Sequence, residues 1–199
     1  MKIFIVLILI LFSACAQKKE LSEEKLSFEL MNKKITKEVE ICEVEKTLGE
    51  GVTVIFDKGK NRLSNITLAC KSITKTELSP GEEFSFNKKT GRRTSSRGYK
   101  EAPIILNGEK DYASGGGVCQ VSTTIYLAAL DAGFPITERH LHSKEVSYAK
   151  NHTDATVVYG EKDLKFVNNT EDTVYIYTWI SDNKVFSKII KKSIDIQEK

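Results

Sequence analysis

Histidine is scarce in this chain: His140, His142 and His152 are the only three among 199 residues, so chemistry that needs an imidazole has few places to find one. Net charge is also small, +3 with histidine neutral. That is too little to imply a nucleic-acid partner, and no nucleic-acid motif accompanies it. The one basic cluster, Lys88, Lys89, Arg92, Arg93, Arg97 and Lys100, is broken by Gly91, Gly98 and small hydroxyl residues. It reads as a solvated loop; its alternative use is to hold carboxylates or phosphates of an anionic polymer. Repeats, low-complexity tracts and motifs for nucleotides or organic cofactors are all missing, so no cofactor is expected. The apolar run Ile3 to Phe12 is too short to cross a bilayer.

That run nevertheless has a meaning. It follows Lys2 and precedes Ser13-Ala14-Cys15 and the polar stretch Gln17-Lys18-Lys19-Glu20, the order of an export signal. Small residues directly before a cysteine match the bacterial lipobox, with Phe12 where leucine is usual. Cys15 is therefore expected to take lipid, to become the first residue of the mature protein and to anchor it to the membrane, in the periplasm or at the cell surface. The expected organisation is a lipoprotein signal over 1–14, a lipidated cysteine and charged tether over 15–34, one folded domain over 35–192 and a tail over 193–199. Three further cysteines, Cys42, Cys70 and Cys119, make an odd count for an exported domain, which favours one free thiol. Cys42 and Cys70 either pair, as an oxidising compartment permits, or stay buried and reduced.

Cys119 has the most informative surroundings. Gly115-Gly116-Gly117 precede it, and Val121, Ile125, Leu127, Ala128, Ala129 and Leu130 after it fall mostly on one helical face, with Gly133 placed to end the helix. The glycines allow positive φ and close approach of a substrate chain. The thiol then sits in a first helical turn, where the dipole and unpaired N–H groups favour a thiolate and a developing oxyanion. A bland alternative makes the glycines a tight turn and Cys119 a small core residue.

The rest of the chain reads as one α+β domain, with that prominent helix packed on antiparallel strands and a β-rich C-terminal part. Strands are predicted over Gly51 to Asp57, with Val52, Val54 and Phe56 alternating, and over Ala102 to Leu106. Others are expected near Lys144 to Tyr148, Ala155 to Tyr159, Leu164 to Val167, Val174 to Trp179 and Val185 to Lys191. Glu38 to Val44 is a strand or buried helix, Asn65 to Ile73 a short helix, and Phe84 to Asn87 extended. Turns are expected at Asn107-Gly108, Gly160, Asn168-Asn169 and Asp182-Asn183.

Several motifs recur together in one known family. Pro80-Gly81-Glu82-Glu83-Phe84-Ser85-Phe86-Asn87, Gly91, Thr94, Gly98-Tyr99 and Gly115-Gly116-Gly117-Val118-Cys119-Gln120-Val121-Ser122-Thr123-Thr124 resemble the VanW family. Glu138-Arg139, His142-Ser143, Val146, Tyr148, Asp154-Ala155-Thr156-Val157, Asp163-Leu164, Phe166 and Asn168-Asn169 continue the likeness, over roughly residues 60 to 180. VanW proteins are envelope proteins, and resemblance to members described as L,D-transpeptidases implies a cysteine nucleophile for peptidoglycan stem peptides. One departure is His152, where the family has glycine.

The resemblance selects His142 as the base for Cys119 and Asp154 as the group that orients it. Gln120 and the Cys119 backbone N–H are expected to donate to an oxyanion. Gly116, Gly117, Ser122 and Arg139 are expected around oxyanion or substrate. Two other classes remain open: a non-catalytic wall-binding or resistance-accessory module, and a zinc hydrolase using His140, His142, Cys119 and His152. His-x-His lacks the fuller spacing of familiar zinc sites, so no metal is expected.

Overall fold

A computed structural model describes residues 39–106 and 109–198, together with Lys25. The proposed signal, Cys15, the tether and the Asn107-Gly108 turn lie outside the described residues, as does the Cys42 side chain. The described residues fall into two compact units, 45–193 and a second to which 39–44 and 194–198 belong. The larger unit contains Cys119, all three histidines and Asp154.

Strand β1 (Val39–Val54) leads to helix α1 (Lys60–Ile73) and strands β2 (Thr76–Leu78) and β3 (Glu83–Ser85). A short helix α2 (Phe86–Thr90), the hairpin of β4 (Glu101–Leu106) and β5 (Glu109–Ser114), and helix α3 (Val118–Asp131) follow. Strands β6 (Ile136–Glu138), β7 (Lys165–Val167), β8 (Val174–Ser181) and β9 (Lys184–Glu198) complete the chain. β9 therefore continues through most of the residues expected as a tail. The sheets run β1-β9-β8-β2, β3-β7-β6 and β4-β5, and the paired strands whose register is given are antiparallel. This is the α+β arrangement expected, with a second 14-residue helix, α1, beside the expected one.

Local chemistry explains most elements. In α1, Ile66, Ala69, Cys70 and Ile73 share one face and are all buried. β8 and β9 join through Asp182 and Asn183, both with positive φ, the backbone that a two-residue hairpin turn demands. In β8 Val174, Ile176 and Thr178 point inward while Trp179 is exposed and stacks on Phe186 at 5.4 Å. Phe84 stacks on Phe166 at 4.7 Å and Phe134 closes on the same ring at 6.0 Å, which ties the small sheet to the core.

Helix α3 is buried almost all round. Val121, Ile125, Ala128 and Ala129 join the core, but Gln120, Ser122, Thr123 and Thr124 are buried as well. β1 crosses its backbone without intervening side chains: a Cβ on Gly51 would fall 2.1 Å from the Thr124 carbonyl oxygen, and one on Gly49 2.3 Å from that of Ala128. Glycine is the residue that permits this approach.

Several expectations need correction. Val52, Val54 and Phe56 do alternate, but they are the exposed set; Gly51, Thr53 and Ile55 face inward. Lys144 to Tyr148 is a run of bends and turns, and Ala155 to Tyr159 supplies only isolated bridges, Thr156 to His140 and Val158 to Lys162. Phe86 and Asn87 begin α2 instead of extending β3, because the Ser85 hydroxyl accepts the Lys88 N–H and caps the helix. Of the two alternatives for Cys70, the free, buried thiol is the one found, and burial pushes it up to about 11.

Candidate active site

Gly117, at φ +105, is the N-cap of α3 and places Cys119 in the first turn. The turn is fixed from behind by the fully buried Asn65 of α1. Its Nδ2 donates to the carbonyls of Lys100 (2.8 Å) and Gly116 (3.0 Å), and its Oδ1 accepts the Lys100 N–H at 2.8 Å. A Cβ on Gly116 would fall 2.6 Å from the Ala102 carbonyl oxygen, and one on Gly117 2.9 Å from Arg62 Cγ. Both glycines are thus needed for packing against the protein's own backbone and side chains, a different use from the expected contact with substrate.

The irregular segment after β6 brings the other groups. His142 Nδ1 lies 2.6 Å from Asp154 Oδ2, which also accepts the His142 backbone N–H at 2.7 Å. One carboxylate oxygen therefore fixes both the position of the residue and the tautomer of its ring, leaving Nε2 for the thiol. The Cys119 Sγ lies 3.5 Å from Thr156 Oγ1 and 3.6 Å from the Val157 carbonyl oxygen. The His142 ring is close enough to Cys119 for each to shift the other's titration, while the thiol's hydrogen-bond partners are Thr156 and Val157. Burial opposes a charge on the thiol, but the nearby His142 ring with its charge, and then the Val157 and Thr156 contacts, outweigh it, bringing Cys119 from the ordinary 9.0 to about 7. Burial likewise opposes a charged His142, and the nearby Cys119, with the bond and charge of Asp154, reverses the effect, raising it. Asp154 follows the same logic: burial is overcome by the backbone and side-chain bonds of His142, so its carboxyl is lowered. The arrangement favours a thiolate–imidazolium pair in a largely dry setting.

Of the residues expected near substrate, Gln120 and Arg139 are engaged within the protein and Ser122 is buried. Gln120 is 1% exposed; its Nε2 donates to Thr53 Oγ1 (3.1 Å) and the Val54 carbonyl (2.9 Å), and its Oε1 accepts from Arg62 Nη2 (3.0 Å). With both amide hydrogens spent on β1, it has none for an oxyanion. Ser122 is fully buried on α3. Arg139 anchors the loop that carries the base: Nε donates to the Asp154 carbonyl at 2.8 Å, Nη2 donates to the His152 carbonyl, and Cζ lies 4.5 Å over the Tyr126 ring of α3.

His140 is turned away, with Nε2 3.0 Å from Glu138 Oε1. His152 is exposed at φ +55, a left-handed conformation that glycine adopts without strain. Among the described residues no group of three or more His, Cys, Asp or Glu is placed to hold a metal ion.

Other supporting residues escaped sequence reasoning. Thr123 Oγ1 accepts the Ala155 N–H at 3.0 Å, clamping the Asp154 segment to α3. Tyr148 meets the His142 ring edge-on at 6.4 Å, and burial together with the nearby Cys119 keeps its phenol well above the usual range. The signal for Asn65 was present: a polar residue beside Ile66 on an otherwise apolar helical face.

The structure is thus an α+β domain with a cysteine at a helix start, a histidine near it and a carboxylate behind the histidine. The chain belongs to the VanW family: the family profile described as "VanW like protein" matches residues 61–190. It is 42% identical over 129 residues to the uncharacterized protein YoaR of Bacillus subtilis, covering 65% of this chain and 43% of that protein. It is 30% identical over 144 residues to the vancomycin B-type resistance protein VanW of Enterococcus faecalis, covering 70% of this chain and 52% of that one. The chain thus spans about half the length of these relatives. No solved structure matches it.

Proposed function

We propose that this domain is a cysteine acyltransferase of the bacterial cell envelope acting on peptidoglycan stem peptides: an L,D-transpeptidase forming 3-3 crosslinks, or the corresponding carboxypeptidase. The observation that carries the reading is a thiol brought to about 7 at the start of a buried helix, beside a histidine whose other ring nitrogen is held by Asp154. The Enterococcus relative carries vancomycin resistance in its name, which supports a place in cell-wall chemistry.

In this reading the Cys119 thiolate attacks the carbonyl that follows an L-centre in a tetrapeptide stem. The carbon–nitrogen bond breaks, His142 gives its proton to the departing amine of D-alanine, and a thioester remains. The amine of the third residue of a neighbouring stem then attacks the thioester. His142 takes that amine's proton, and the sulfur leaves as thiolate. Water in place of the amine gives the carboxypeptidase. With Gln120 committed elsewhere, the Cys119 backbone N–H is the donor left from the expected oxyanion pair.

Incubation of the protein with disaccharide tetrapeptides, followed by mass analysis of protein and products, tests the reading. A thioester adduct on the wild type, absent in Cys119→Ser, is expected. Equal turnover by the two forms removes Cys119 from the mechanism. Retention of the peptide without adduct or product makes the domain a binding module.

A further inference from the structure

Arg93 departs from the solvated character expected of its basic cluster. Its stem lies on the glycine turn, where a Cβ on Gly115 would fall 2.7 Å from Arg93 Cβ, and its guanidinium stands over the Phe86 ring at 5.4 Å. Nη1 and Nη2 are both buried, and neither has a hydrogen-bond partner. A buried guanidinium without acceptors is costly, and native proteins retain such groups for a reason.

The charged and titratable groups around it do not supply a counter-ion. They are Cys119, Tyr99, Asp163 and Tyr159. The Asp163 carboxylate is already engaged, accepting from Ser85 Oγ at 2.6 Å and from the backbone N–H groups of Asn87 and Leu164 at 2.9 and 2.8 Å. Burial keeps the Tyr99 phenol above its usual range. Cys119 is shared with His142. A guanidinium whose Nη1 and Nη2 both lack acceptors, in the electrostatic neighbourhood of Cys119, fits a carboxylate better than any other common peptide group.

We infer that Arg93 is the receptor for the free C-terminal carboxylate of the peptide, one residue beyond the carbonyl that Cys119 attacks. This rests on the reading of Cys119 as an acylated nucleophile and names the end of the substrate it acts on. One residue spans at most about 3.6 Å, so such a carboxylate lies close to the attacked carbonyl and its receptor must stand beside the thiol. Tyr159 and Asp163 also line a neighbouring groove of about 610 Å3, whose walls include neither Arg93 nor Cys119. At its rim Arg92 and Tyr159, both exposed, meet at 5.5 Å in a surface cation–π contact that a bound carboxylate displaces at little cost. An ordinary internal peptide bond has no carboxylate at this distance, so the receptor directs attack to a bond followed by a residue with a free α-carboxylate.

The test is protection of Cys119 from iodoacetamide by a stem tetrapeptide, given as the free acid and as its C-terminal carboxamide, with thioester formation followed by mass. The acid should protect wild-type protein at concentrations at least tenfold lower than the amide. Arg93→Gln should abolish that difference, and Arg93→Lys, which keeps the charge but loses the fork, should restore only part of it. Equal protection by acid and amide in the wild type, with thioester still formed, overturns the receptor and leaves the acyltransferase standing. Acid-selective protection that never yields thioester keeps the receptor and overturns the acyltransferase. Protection by neither peptide overturns both.

Discussion

Replacing His142 by alanine tests the coupling between the helix and the loop. In the wild type the Cys119 thiol titrates at about 7, so about half is thiolate at neutral pH. Burial opposes that charge, and His142 supplies the largest opposing effects. Without the ring, the thiol should return to 9.0 or above, which cuts the thiolate fraction at pH 7 about fiftyfold. A more basic thiolate is also a better nucleophile, by roughly eightfold over two units at a Brønsted slope near 0.45. Alkylation at pH 7 should therefore fall only about sixfold, and a single-pH rate understates the change. The decisive quantity is the midpoint of the alkylation rate against pH, which should move from about 7 to 9 or beyond. Acyl transfer should drop much further, by about a hundredfold or more, because the acid and base of the reaction is lost as well. His140→Ala should leave the midpoint in place, since that ring faces Glu138. Asp154→Asn should shift it part of the way by weakening the hold on the ring. A wild-type midpoint near 9, or one unmoved by His142→Ala, refutes the assigned pairing.

Glu138 offers a pH test of stability. The hydrogen bond from Lys165, together with bonds from His140 and the Asp163 N–H, holds its carboxyl down at about 2 against an ordinary 4.5. A carboxyl lowered by folding contributes stability above its unfolded value and loses it as pH falls through the folded one. Glu138→Gln should therefore be less stable than wild type above pH 4.5 and approach it between 4.5 and 2, as read from urea midpoints; parallel curves would refute the assignment. Gln120→Ala leaves the Thr53, Val54 and Arg62 groups without their partner amide. It should cost about 3 kcal/mol, at the rate of buried polar groups left unsatisfied, and a thermal scan with an unchanged midpoint would show that the amide is not a structural tie.

Cys119 was legible because two local signals coincide there: glycines that permit positive φ, and an apolar 3.6-residue repeat ended by Gly133, which indeed has φ +71. Helix α1 begins five residues earlier than expected, at Lys60, because Asn61, Arg62 and Ser64 hide its apolar face. β2 and β6 have three residues each, too few for a repeat to register, and the polar Glu109–Ser114 of β5 pairs across one hairpin. The alternation Lys144 to Tyr148 suggests a strand, but the backbone there folds into bends that bring Tyr148 to His142. The choice of His142 and Asp154 came through family resemblance, since residues 12 apart on an irregular segment leave no periodic trace. Gln120 and Arg139 illustrate the remaining gap: the motif marks them, but only tertiary packing shows that one ties β1 to α3 and the other fastens the loop.

The glycine crossing of β1 over α3 also sets how the site can change. Gly49 and Gly51 bring strand backbone onto helix backbone, so the Cys119 thiol rides on an element with no slack. The histidine and aspartate arrive on a segment without regular structure, fastened by a few side-chain bonds from Arg139 and Thr123. Insertions and exchanges in that segment can alter the acid–base half while the thiol stays put, so diversity of substrate among such proteins should collect between β6 and β7.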